Sequence, residues 1–191
     1  MDSDLFRSVN TFQRHTPWLH GAGLFYAKTG GPALLALLLL AGVLIARHRA
    51  SAVGLAAALW AGLSTLVAVG LNQPIVHAVD RARPYRALPH VHLLGTPSLD
   101  GSFPSDHATL AGAAIVGLFL VGRGWGVAAL AAGLLLAVDR VYVGAHYPLD
   151  VVAGLIVGGV VAGVGWLLVR RLLRRCVERL ARSRVRPLVT A

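Results

Sequence analysis

Long apolar stretches separated by short polar breaks dominate the chain. Residues 32–46, 52–71, 108–121, 126–138 and 151–169 contain no charged side chain. The runs at 52–71 and 151–169 are long enough to cross a hydrocarbon core of about 30 Å as helices. Residues 21–27 extend the first run upstream. The runs at 108–121 and 126–138 are short, and reach spanning length if their helices continue into 104–107 and 141–143. Gly and Ala recur in every run, which predicts close helix–helix packing in lipid. No internal repeat or linker interrupts the pattern, so residues 1–191 read as one domain. The predicted fold is all-α: a polytopic helical membrane bundle of five or six transmembrane helices with short amphipathic flanking helices.

Two flanks carry the amphipathic pattern. Asp2, Ser3 and Asp4 precede Leu5, Phe6, Val9 and Phe12, which share one helical face. Residues 1–28 therefore either lie in the interface, giving five spans, or cross it, giving six. At the other end Leu172, Leu173, Cys176, Val177 and Leu180 recur at helical spacing, opposite Arg170, Arg171, Arg174, Arg175, Arg179 and Arg182. Residues 170–186 read as a basic amphipathic helix on an anionic leaflet.

Composition narrows the class. Of 191 residues 56% are hydrophobic and 14% charged, against roughly 25% charged in a soluble domain. This excludes a disordered chain, a coiled coil and an ordinary water-soluble enzyme. The net charge is +10, from 18 Lys+Arg against 8 Asp+Glu. In so apolar a chain that excess signals topology, and membrane lipids rather than nucleic acid are the expected partners. Arg47, Arg49, Arg123 and the arginine-rich tail fall on one side, which the positive-inside rule makes cytoplasmic. The breaks at 80–104 and 139–148 then face outward. The single cysteine, Cys176, leaves no internal disulfide. The late first apolar run, without a basic segment before it, does not read as a cleavable signal peptide.

The outward breaks hold the chemistry. Asp80, Asp100, Asp106, Asp139 and Asp150 are five of the eight acids, and they lie among Arg81, Arg83, Arg86, Arg140, His77, His90, His92, His107 and His146. Charged groups at membrane depth are costly, so they are functional candidates by default. Arg81, Arg83 and Arg86 at the end of a span suit a phosphate, whose oxygens guanidinium binds bidentately. Snorkelling interface charges are the structural alternative. Ser105 reads as an N-cap and Asp106 as the first residue of a helix whose N–H groups face outward, a ready anion site. His107 in the first turn is placed to exchange a proton, or is simply an interface residue. His146 and Asp150 are four apart beside a helix start marked by Pro148. A carboxylate on one ring nitrogen would leave the other free as a nucleophile. A buried ion pair of Asp139, Arg140, His146 and Asp150 is the alternative. No cysteine cluster or His-Glu-x-x-His pattern suggests zinc, and no glycine-rich phosphate loop suggests nucleotide-driven transport.

At these residues the sequence resembles the type 2 phosphatidic acid phosphatase superfamily of integral-membrane lipid phosphatases. That family carries a Lys, six residues and Arg-Pro; then Pro-Ser-Gly-His; then Ser-Arg, five residues, His, three residues and Asp. Here Arg83-Pro84, then Pro104-Ser105-Asp106-His107, then Asp139-Arg140 with His146 and Asp150 match in order and spacing. Three departures stand out: Val76 in the lysine position, Asp106 for the glycine and Asp139 for the serine. The strings around His107 and His146 look like the undecaprenyl pyrophosphate phosphatases of the bacitracin-resistance type.

The resemblance implies hydrolysis of undecaprenyl (polyprenyl) pyrophosphate to the monophosphate at the outer face of the plasma membrane, recycling the carrier for cell-wall synthesis. It implies a phosphohistidine on His146 oriented by Asp150, proton transfer by His107, and phosphate binding by Arg83, Arg140, Ser105, Asp106 and Arg81. It implies no metal and no cofactor. What stands in for the missing lysine, His77 or Arg81, is left open. Three rivals remain: another lipid phosphate as substrate, with the same residues; a non-enzymatic transporter or scaffold with a buried charge network; and an intramembrane protease built on Ser64. The sequence says nothing of oligomeric state.

Overall fold

The computed structural model describes residues 1–49 and 51–183. Residues 184–186 of the predicted basic tail helix lie outside the described residues. Among the described residues the regular structure is entirely helical. Helix α1 is Asp2–Arg14. A short 3-10 turn, Pro17–Leu19, leads into α2, His20–Phe25, then a π-helical turn, Tyr26–Gly30, then α3, Gly31–His48. Helix α4 is Ala52–Val79, α5 is Pro84–Ala87, α6 is Asp106–Val121, α7 is Arg123–Tyr142 and α8 is Pro148–Ala181.

Four stretches are long and apolar enough to cross a membrane: Pro17–His48, Ala52–Ala87, Arg123–Tyr142 and Pro148–Ala181. The shorter α6 sits among them, packed on α4, α7 and α8. With the shorter α6 the bundle has five apolar helical stretches among the described residues. Residues 17–48 form one continuous stretch, and the amphipathic α1 stays outside it. The outer surface is apolar, with Leu37, Leu40, Leu66, Leu135, Ile156 and Leu168 exposed, as lipid contact requires.

Local sequence explains the helix ends. Ser51 caps α4 by accepting from the Gly54 N–H at 3.1 Å, and Pro148 occupies the first turn of α8. Helix α4 begins four residues after α3 ends, and Gly122 alone separates α6 from α7; Ala46, Leu55, Val121 and Val177 meet in one cluster at that end. Here the structure adds something to the reading of the tail. Helix α8 runs unbroken to Ala181, about 51 Å at 1.5 Å per residue. The apolar stripe of its basic end packs Leu173 and Val177 against Ala46, Leu55 and Ala58. The arginine-rich segment is thus an extension of the last span, braced by the α3–α4 corner.

Small residues set the spacing around α6. A Cβ on Gly158 would sit 1.9 Å from the Thr109 carbonyl oxygen, and one on Gly112 would sit 2.2 Å from that of Leu155. The backbones of α6 and α8 therefore touch directly, the close approach that Gly permits in lipid. Gly158→Ala should force α8 off α6 and cost about 1–3 kcal/mol, the usual penalty of overpacking. Gly62→Ala meets open space and should leave stability unchanged or slightly higher. Melting temperatures of the two detergent-solubilised variants check this.

Candidate active site

At the other end of the bundle a cavity of about 480 Å³ opens. Its wall includes Arg83, Asp106, His107, Arg140 and His146. These residues come from the α4–α5 turn, the start of α6, the end of α7 and the α7–α8 turn. The three sequence motifs therefore converge on one space, although Arg83 and His146 are 63 residues apart.

The α7–α8 turn holds His146. Gly144 has φ +83°, and a Cβ there would lie 2.7 Å from the His92 carbonyl oxygen, so only glycine fits between the turn and the strand of chain at 92–94. The Leu94 N–H donates to the Val143 carbonyl at 2.9 Å. Val143 and Ala145 are buried against Ala27. The imidazole itself is 2% exposed. Its Nδ1 lies 2.8 Å from the Ser102 carbonyl oxygen, which can only accept. Nδ1 therefore carries the proton, and Nε2 presents its lone pair. Arg83 Nη1 lies 3.1 Å from that Nε2 and donates to it.

Asp150 relates to His146 less directly than its spacing suggested. Its Oδ2 is 3.7 Å from His146 Nδ1, beyond hydrogen-bond reach, while the Ser102 carbonyl makes the short contact. The Asp150 carboxylate is fully buried. Oδ2 accepts the Tyr147 N–H at 2.8 Å, and Oδ1 accepts from Arg81 Nη1 at 2.6 Å. Burial holds the His146 imidazole below its ordinary pKa; Asp150 opposes this, and the positive Arg140 and Arg83 reinforce it. The ring is neutral at pH 7.

Arg83 is 7% exposed and is held by Asp100, which also lines the cavity. Its Nε donates to the Asp100 carbonyl at 3.2 Å, and Nη2 to the Asp100 carboxylate at 3.1 Å. Burial works against ionised Asp100, yet the Ser98 hydroxyl and Arg83 hold its carboxyl below the usual range. Tyr85 pins the same loop, donating to the Ser98 carbonyl at 2.9 Å and accepting the Ser98 N–H at 2.8 Å. Arg140 lines the cavity while its buried Nε lacks any partner among the described residues. Such an orphaned donor beside an anion-sized space is an invitation to a phosphate oxygen.

The start of α6 differs in detail from a simple anion cradle. Ser105 is fully buried, its hydroxyl has no partner, and its N–H donates to the Asp150 carbonyl at 3.0 Å. It does not line the cavity. Asp106 does line it, and its Oδ1 accepts from Asn72 Nδ2 at 2.7 Å and Gln73 Nε2 at 2.9 Å. Two amides from α4 thus turn this carboxylate aside. Neither amide stood out in the sequence, because nothing marks a polar pair just past an apolar run as facing a motif 33 residues away.

Arg81 also departs from the expected place. It is absent from the cavity wall. Its guanidinium bridges Asp150 and, at 2.6 Å, Asp2 of α1, and lies 4.0 Å over the Tyr147 ring. The Asp2 partner is 79 residues away, invisible to spacing. His77 does not line the cavity either, but Lys28 of the π-helical turn does; that residue went unnoticed because nothing in the N-terminal sequence ties it to the motifs. Ser64 donates to the Ala61 carbonyl of its own helix at 3.0 Å, which leaves the protease reading without a site.

A ring nitrogen presenting its lone pair beside two arginines, in a cavity at one end of a helical bundle, suits attack on a phosphate, and comparison with known proteins agrees. The PAP2 superfamily model matches residues 57–174, and the chain belongs to that superfamily. It is a multi-pass membrane lipid phosphatase. Undecaprenyl-diphosphatase BcrC of Bacillus subtilis is 30% identical over 188 residues, covering 95% of this chain and 91% of its own. Undecaprenyl-diphosphatase of Sulfolobus acidocaldarius is 28% identical over 156 residues, covering 81% and 72%. The crystal structure of a PAP2-type phosphatidylglycerolphosphate phosphatase from Bacillus subtilis superposes with a TM-score of 0.67 at 21% identity, covering 96% of this chain and 87% of that one. The fold is shared. Family membership sets aside the non-enzymatic transporter or scaffold.

Arg81 and a cavity arginine should respond differently to removal. Arg81→Met leaves the fully buried Asp150 without its main counter-ion and should cost about 3–5 kcal/mol, seen as a lower melting temperature. Its inhibition constant for inorganic phosphate should stay within about threefold. Arg140→Met should raise that constant at least tenfold, the loss of about 1.4 kcal/mol or more, with little change in melting.

Proposed function

We propose that the protein hydrolyses undecaprenyl (polyprenyl) pyrophosphate to the monophosphate and inorganic phosphate through a phosphohistidine. The observation that carries the chemistry is His146 Nε2: a deprotonated ring nitrogen 3.1 Å from Arg83, in a cavity shared with His107 and Arg140. The substrate class follows the names of the two undecaprenyl-diphosphatases. The positive-inside reading puts this end of the bundle outside the plasma membrane, where the carrier would be recycled for cell-wall synthesis.

In this mechanism the terminal phosphate displaces Nε2 from Arg83 and takes up the guanidinium itself. The Nε2 lone pair attacks phosphorus, and the P–O bond to the lipid monophosphate breaks. His107, protonated once the negative phosphate is bound beside it, gives that proton to the leaving oxygen. The phosphoimidazolium cation is stabilised by the Ser102 carbonyl at Nδ1 and by the buried Asp150 charge nearby. His107 then accepts a proton from water as the water oxygen attacks phosphorus. The P–N bond breaks, phosphate leaves, and both histidines return to their starting states. Arg83 and Arg140 hold the equatorial oxygens through both steps.

A second reading keeps the chemistry and changes the lipid. The structural relative named a phosphatidylglycerolphosphate phosphatase shares the fold across 87% of its chain, so a phospholipid monophosphate fits the same machinery. Phosphate release measured across a panel of polyprenyl pyrophosphates, phosphatidylglycerophosphate and phosphatidate decides between them. A preference for the phospholipids would overturn the pyrophosphate assignment.

The nucleophile itself has two checks. His146→Ala should lose at least about 1000-fold in kcat and give no acid-labile, alkali-stable phosphoprotein, whereas wild-type protein quenched in turnover should give one. The acid limb of the pH–rate profile supplies the other. His146 attacks as the neutral base, and its pKa is lowered from the ordinary 6.5. Activity limited by this group therefore persists as pH falls past 6.5 and declines only below it. A limb centred above 6.5 would contradict the buried neutral ring.

A further inference from the structure

Val76 stands where the family carries a lysine, and it lines the cavity as an apolar wall. Neither neighbour offered by the sequence replaces that charge. His77 lies off the cavity, and Arg81 is committed to Asp2 and Asp150. One further cation does reach the space. Lys28 lines it together with Arg83, Arg140, His107 and His146, and no carboxylate among the described residues lies within ion-pair distance of it. Asp100 and Asp106, the acids in the wall, are held by Arg83 and by Asn72 and Gln73.

The local backbone is built to present this side chain. Residues Tyr26–Gly30 form a π-helical turn between two α-helical segments, a feature that often marks functional sites. The wider turn rotates successive side chains past their α-helical positions. Tyr26 docks on α7, donating to the Ala132 carbonyl at 3.0 Å. Gly31 packs against Leu136 and the Tyr26 carbonyl, where a Cβ would lie 2.8 and 3.0 Å from them. Ala27 is buried against Val143 and Ala145 of the turn that carries His146. Lys28, next to Ala27, is exposed and lines the cavity.

We infer that Lys28 forms a second phosphate subsite, which binds the lipid-side phosphate of a diphosphate while Arg83 and Arg140 hold the terminal phosphate at His146. The inference rests on the pyrophosphatase reading and refines it. A diphosphate brings one more anionic group than a monophosphate ester, and the bond that breaks leaves new charge on the lipid-side phosphate. A lysine is suited to that task as a mobile point charge, whereas the buried arginines give fixed bidentate geometry. Lys28 therefore discriminates diphosphates from monophosphates.

The test uses the full-length protein in detergent, with Lys28→Met and Lys28→Arg. Calorimetric titration gives the dissociation constants of inorganic pyrophosphate and inorganic phosphate for each. In wild type pyrophosphate should bind at least tenfold tighter than phosphate. Lys28→Met should collapse that ratio to within about threefold, and Lys28→Arg should keep most of it. The ratio of kcat/KM for farnesyl pyrophosphate to that for farnesyl monophosphate should fall by the same factor in Lys28→Met. A pyrophosphate-to-phosphate ratio unchanged by Lys28→Met, or absent in wild type, overturns the subsite. Turnover of phospholipid monophosphates alone by wild type overturns the substrate assignment instead, and the binding ratio still reports on Lys28.

Discussion

The fully buried carboxylate of Asp150 is the constraint on which the site depends. A charge without solvent needs every lone pair answered, and removing one partner of such a group is strongly destabilising. The partners here come from distant parts of the chain. Arg81 takes one oxygen and the Tyr147 N–H the other, while the Asp150 backbone carbonyl accepts the Ser105 N–H. Through Arg81 the same residue recruits Asp2, whose other oxygen accepts the Leu149 N–H at 3.0 Å. One position therefore fixes the start of α8, the start of α6, the end of α4 and the N-terminal helix. His146 sits beside this knot and borrows its rigidity. Its own short hydrogen bond goes to the Ser102 carbonyl.

Lipid imposes the second constraint. Helices in a bilayer gain nothing from hydrophobic exclusion of one another, so they associate through close packing. The glycines between α6 and α8 supply it, and they allow α6 to be short. Sixteen residues span about 24 Å, less than a hydrocarbon core of about 30 Å. The helix start that carries Asp106 and His107 is therefore recessed among its longer neighbours. The cavity follows from that length difference. It gives the phosphate chemistry a place near the headgroups, with the apolar outer faces of the bundle left for the lipid tail.

The fold was legible in the sequence because hydrophobic runs and positive charges act over lengths that one chain segment displays by itself. The three motifs were legible because their spacing reflects a helix start or a single turn. What escaped notice depended on pairings across the fold. Arg81 reads as a phosphate ligand until Asp2 is seen against it. Asp106 reads as an anion-site residue until Asn72 and Gln73 are seen to bind its carboxylate. The continuation of α8 past Val169 escaped because an arginine-rich face looks interfacial unless the apolar stripe beneath it is known to meet Ala46 and Leu55. Lys28 lacked any marker, since a π-helical turn has no sequence signature of the kind a cap or a proline provides.

These misses share an origin, and it bears on how such a phosphatase acquires a particular substrate. The family match covers 57–174, which contains the two histidines, Arg83, Arg140 and Asp150. The segment before it supplies Asp2 to the Arg81–Asp150 knot and Lys28 to the cavity wall. The phosphoryl group is common to every lipid phosphate, and the matched core holds the histidines and arginines of the cavity. Discrimination needs contacts beyond that group, at the cavity mouth, where the N-terminal segment lies. A charge placed there rather than on α4 also changes what the site demands. With Val76 an apolar part of the wall, Lys28 is the cation that the segment before the family match brings to the cavity.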